Sequence, residues 1–167
     1  MTHWAIDLGT TNTTVARWDS VSGSSDRASV VVLAELCRDP AGDDPIRAPD
    51  AIPSATEMSD GRDLWTRLGR VPWVSRRRFW GRHATIGRAA VERNLTQVSA
   101  AFTPSFKRAL QDHPLRPLVN VGRARFTARD VARAFLRELL ASITRATGGR
   151  PDAVTLTTPV DAYEGYR

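Results

Sequence analysis

His3-Trp4-Ala5-Ile6-Asp7-Leu8-Gly9-Thr10-Thr11-Asn12-Thr13-Thr14-Val15-Ala16-Arg17-Trp18 is the stretch on which the fold turns. His3 to Leu8 reads as a short buried strand and Thr13 to Trp18 as a second, with Gly9 to Asn12 between them. Two β-prone runs joined by a segment holding a Gly and an Asn predict a hairpin. Asp19 to Ser29 is polar and turn-rich, hence a loop, and Val30 to Leu36 is a continuous apolar run of strand length. Three strands so close together predict an antiparallel meander at the start of the chain.

Further along, Arg38 to Ile52 reads as a loop rich in Pro and Asp, and Ile52-Pro53-Ser54 leads into a short extended stretch. Residues 59–85 read as a variable insertion, with Trp65, Trp73 and Trp80 beside Arg76, Arg77, Arg78 and Arg82. Such a surface could stack on single-stranded nucleic acid. It fits equally an insertion whose Trp rings pack inward under Arg stems. The clearest helix starts at Thr127, where Thr127-Ala128-Arg129-Asp130 resembles a capping box with Asp in the fourth place. Val131, Phe135, Leu136, Leu139, Leu140 and Ile143 then recur at helical spacing, and Gly148-Gly149 should end the helix. Ala153 to Thr158 reads as a strand stopped by Pro159. Helix, short loop, strand is an α/β signature, and the 167 residues are expected to form one domain.

Composition narrows the function classes. Hydrophobic residues at 41% and charged residues at 25% fit an ordinary globular chain. The net charge of +6 invites a nucleic-acid partner, yet 23 of the 24 basic residues are Arg, with Lys107 the one Lys. That bias runs along the whole chain instead of marking a patch, so nucleic acid is not an expected partner. Cys37 stands alone, so an internal disulfide is excluded. No signal-like leader opens the sequence and no apolar run approaches ~20 residues. A cytoplasmic chain with no membrane association is expected. His3, His83 and His113 lack metal-ligand spacing.

The hairpin turn carries the chemistry. Asp7, at the end of its strand, can hold a hydrated Mg²⁺, an ion that keeps most of its waters and takes one or two carboxylates. Gly9 lets the backbone approach an anion where a side chain would collide. Thr10, Thr11 and Asn12 offer N–H and side-chain donors around the turn. No Walker G-x-x-x-x-G-K-[ST] is present. On spacing alone, an ordinary hairpin with a polar tip explains these residues equally well.

Ile6-Asp7-Leu8-Gly9-Thr10-Thr11-Asn12 resembles the first phosphate motif of the actin–hexokinase–heat-shock superfamily of ATPases, and the rest of the chain resembles its heat-shock protein 70 (DnaK-type) chaperone branch. Pro53-Ser54 is similar to that family's Pro-Ser early strand, and Ile86-Gly87-Arg88-Ala89-Ala90 to its Val-Gly-x-x-Ala helix start. Phe106-Lys107-Arg108 falls where the family places an essential lysine. Ala153-Val154-Thr155-Leu156-Thr157-Thr158-Pro159 resembles its Ala-Val-Ile-Thr-Val-Pro strand, and Arg167 lies eight residues further on, as in the family. The matches follow the family's order over nearly the whole chain. The sequence departs from the pattern after Pro159, where Asp161 and Ala162 replace two aromatic residues.

This resemblance implies an actin-like (ribonuclease H-like) ATPase fold, first lobe only, with a mixed sheet and flanking helices. It implies ATP and Mg²⁺ as cofactors. Asp7 would sit near the magnesium, Gly9, Thr10, Thr11 and Asn12 would hold phosphates, and Lys107 would lie beside the γ-phosphate and the attacking water. Pro159 and Arg167 would belong to an interdomain relay. The intact protein would bind ATP and ADP, capture and release unfolded polypeptide, and work with a J-domain co-chaperone and a nucleotide exchange factor. The family's second lobe, with its other phosphate motif, and its peptide-binding domain come later than Arg167, so this chain by itself is expected to bind nucleotide weakly or not at all. Two other readings share some of these features: a fragment of a sugar kinase or other actin-superfamily ATPase, and a non-catalytic basic binding module using Trp65 to Arg82.

Overall fold

The structure, a computed structural model, describes residues 2–19, 28–39, 48–59 and 84–157. β1 (Thr2–Leu8) and β2 (Asn12–Asp19) pair antiparallel in an unbroken register from Thr2 opposite Asp19 to Leu8 opposite Thr13. Trp4, Ile6 and Leu8 are buried while Thr2 and Asp7 are exposed, the period-2 pattern of a strand with one face on a core. β3 (Ser29–Val30) follows antiparallel on the far side of β2, so the meander expected from the sequence is present. β4 (Ile52–Pro53) also pairs with β2, near the turn. β10 (Val154–Thr157) lies parallel to β1 and completes a mixed five-stranded sheet in the order β10-β1-β2-β3.

A second sheet joins β5 (Thr56–Met58), β6 (Ala84–Ile86) and β7 (Phe102–Thr103), and a hairpin joins β8 (Pro117–Val121) to β9 (Ala124–Thr127). The helices are α1 (Arg88–Thr96), α2 (Lys107–Asp112) and α3 (Ala128–Thr147). The described part of the chain is thus mixed α/β. Val131, Phe135, Leu139 and Ile143 of α3 share one core with Trp4, Ile6, Leu8 and Val15, with Leu136 and Leu140 packed at its margin. Each such side chain contributes about 1.5–3 kcal/mol by leaving water. Phe106 bridges to α2, its ring 5.3 Å from that of Phe135.

Two expectations need correction. Val30 to Leu36 is not one strand: pairing stops after Val31, whose N–H reaches Val15 O, and the chain turns at Leu33. Leu36 and Cys37 both donate to Leu33 O, and Leu33, Leu36 and Cys37 are the residues buried. That spacing is the period of a helical turn. The second correction concerns the expected insertion over 59–85. Ala84 and Thr85 belong to β6, paired with Met58 and Glu57. The tryptophan- and arginine-rich stretch from Trp65 to Arg82, along with Pro159 and Arg167, lies outside the described residues. Among the described residues no helix is long and apolar enough to cross a membrane.

At the start of α3 the capping box forms in full. The Asp130 N–H donates to Thr127 Oγ1 at 3.2 Å, and the Thr127 N–H donates to Asp130 Oδ2 at 3.0 Å. Hydrogen bonds from Thr127 hold the Asp130 carboxyl below its usual 3.8. A carboxylate depressed on folding stabilises the native state above its unfolded pKa, and that gain is lost as pH falls through the folded value. Thr127→Ala is therefore expected to cost about 1 kcal/mol at neutral pH. The deficit should shrink in denaturant titrations carried below pH 3.8, where Asp130 begins to protonate.

Candidate functional site

The β1–β2 turn is made by Gly9, Thr10 and Thr11, with the two Thr exposed. A Cβ built on Gly9 would lie 2.2 Å from the carbonyl oxygen of Asn12, so this tight turn requires a glycine. From behind, Ser54 clamps it. The Ser54 hydroxyl donates to Gly9 O at 2.9 Å and lies 3.1 Å from Thr13 Oγ1, while the Ser54 N–H donates to Thr11 O at 2.9 Å. Ser54 and Thr13 are fully buried, and hydrogen bonds out of water hold their geometry firmly. The carbonyls of Gly9 and Thr11 are thus both tied back to Ser54.

Strand alternation sorts the flanking side chains. Ile6, Leu8, Thr13 and Val15 face the core. Asp7, paired with Thr14 on one side and Thr157 on the other, shares the opposite face, and Asn12 falls there too. Thr157 Oγ1 donates to Asp7 Oδ1 at 2.6 Å, a short bond fixing that carboxylate. A carboxylate accepts about four hydrogen bonds in all, so this one can also take the waters of a hydrated ion. Among the described residues no group of three or more His, Cys, Asp or Glu could hold a bare metal ion. A lone fixed carboxylate suits magnesium that keeps its water.

Lys107 opens α2 immediately after the core residue Phe106 and is only 5% exposed. Burial pushes its ammonium below the ordinary 10.5, and the Asp7 carboxylate pulls it partway back. On the other flank, Arg38 Nε and Nη2 donate to Asn12 Oδ1 at 2.9 and 2.7 Å. Guanidinium has no acceptor, so this contact orients the Asn12 amide with its NH₂ away from Arg38.

Of the residues expected at the site, Asp7, Gly9, Thr10, Thr11 and Asn12 share one end of the sheet, and Lys107 is coupled to Asp7. No family model and no curated protein matches the chain. Sequence reading missed three contributors: the Ser54 clamp, the Thr157 hydrogen bond and Arg38. Pro53-Ser54 stood out only through resemblance, and nothing local ties Thr157 or Arg38 to the turn. Thr157 is brought there by the pairing of β10 with β1, and Arg38 by its backbone bond to Ala51 beside β4.

Proposed function

We propose that the chain forms one wall of a Mg·ATP site, the first lobe of an actin-like nucleotide-binding fold of the heat-shock 70 type. One observation carries the reading: the Asp7 carboxylate, fixed by Thr157 and felt by the buried Lys107 ammonium, stands beside a glycine turn whose carbonyls are tied back. In this reading the turn's N–H groups and the Thr10 and Thr11 hydroxyls bind phosphate oxygens. Asp7, oriented by Thr157, holds water on the magnesium. Lys107 neutralises charge developing on the transferred phosphoryl group, where positioning and electrostatics supply nearly all of the catalysis. Mg·ATP would supply the phosphoryl group, with water as its acceptor and ADP as the leaving group. The larger role follows from the family resemblance: ATP turnover by the intact protein drives capture and release of unfolded polypeptide, with a J-domain co-chaperone and an exchange factor as partners.

The test is an NMR titration of the ¹⁵N-labelled chain with Mg·ATP. Amide shifts at Gly9, Thr10, Thr11 and Lys107 are expected, with a dissociation constant of order ~1 mM, about −4 kcal/mol. Lys107→Met should abolish them. The same substitution relieves a buried ammonium of its desolvation, so thermal stability should hold or rise by about 1 kcal/mol. An amine depressed on folding gives native stability that grows as pH climbs from the folded value towards 10.5, and Lys107→Met should lose that rise. No shifts at about 10 mM nucleotide, or shifts confined to other regions, would sink the reading.

A further inference from the structure

We propose that Arg38 is a phosphate-binding residue of this same site, a cation held beside the glycine turn through Asn12. The inference rests on the Mg·ATP reading above and adds a contact that the hairpin motif does not contain. Sheet order supplies the geometry. Asp7 has β10 on its flank, with Thr157 of that strand hydrogen-bonded to it. Asn12 sits on the other flank, where β2 meets β4, and Arg38 is bound to it. The turn thus has a cation on its β4 side.

Arg38 is preorganised at both ends. Its backbone N–H donates to Ala51 O at 3.0 Å, and its side chain spends two donors on Asn12 Oδ1. A guanidinium has five N–H donors in a fixed fork, and the Arg38 side chain is exposed, so further donors remain for a phosphate oxygen. The pair has a second effect. By engaging the Asn12 carbonyl oxygen, Arg38 removes a partial negative charge from the site and leaves the amide NH₂ to donate. A ligand with several charged oxygens, such as the terminal phosphates of a nucleoside triphosphate, gains from both.

The experiment compares wild type, Arg38→Ala and Arg38→Lys in the same NMR titration with Mg·ATP, alongside thermal unfolding of each. Arg38→Ala is expected to weaken binding about tenfold, with the turn amides still the ones that shift. Arg38→Lys should restore part of the loss, since it returns the charge without the two-donor grip on Asn12. Melting temperatures should agree closely, because the pair is exposed. If wild type shifts at Gly9 to Thr11 and Arg38→Ala binds equally well, the role of Arg38 is overturned while the site stands. If wild type shows no shifts there, both fall. A loss of binding that only tracks a lowered melting temperature also overturns the proposal, because it marks a structural role.

Discussion

Replacing Gly9 by Ala is expected to abolish nucleotide-induced shifts at the turn and to destabilise the fold by about 3 kcal/mol. The reason is local. The new Cβ would meet the Asn12 carbonyl oxygen at 2.2 Å, and backbone cannot swing aside as a flexible side chain can. Relief requires opening the turn, which pulls Gly9 O from Ser54 and displaces Asn12 from Arg38. Denaturant unfolding would read the stability loss, and the titration above would read the binding. Near-native stability with intact shifts would mean that the turn adapts, and the tight-approach argument would be wrong.

The second large effect lies in the core. Phe135→Ala removes a ring with no exposed surface that packs against Phe106. A cavity of this kind costs about 3–5 kcal/mol, which for a chain of this length lowers the melting temperature by roughly 10–15 °C. Its functional consequence is more specific. Phe106 is the residue immediately before Lys107, and its burial fixes where α2 starts. Loosening that anchor should weaken the Lys107 response to Mg·ATP in conditions where the protein is still folded. A variant that loses stability but keeps the full Lys107 shift would show that the lysine is positioned by something other than this ring pair.

Much of the fold was legible, for identifiable reasons. β1 and β2 announce themselves by alternation and by a turn that only small residues can make. The long helix α3 declares both ends, Thr127 with Asp130 at one and Gly148 at the other, and its apolar face is the one that is buried. The run from Val30 to Leu36 misled because an unbroken apolar segment carries no period, and only tertiary contact decides that Leu33, Leu36 and Cys37 bury a turn. The β8–β9 hairpin went unread although Gly122-Arg123 is a two-residue turn of the Gly-X kind. Its strands are short, with exposed Asn120 and Arg125, and do not stand out as apolar. At the site, the glycine turn and Asp7 could be read from sequence, whereas Lys107 was singled out through the resemblance. The clamp and the flanking contacts could not, because they join segments 26, 45 and 150 residues apart.

That last separation also sets a schedule. Asp7 is synthesised 150 residues before the hydroxyl that orients it. At typical elongation rates of about 5–20 residues per second, the wait is roughly 8–30 s. During that interval β1 has one bare edge and the carboxylate has no oriented partner. The nascent hairpin can fold early, but Thr157 does not hold the Asp7 carboxylate until β10 docks. Docking of β10 is therefore the moment at which the Asp7 carboxylate acquires its fixed orientation.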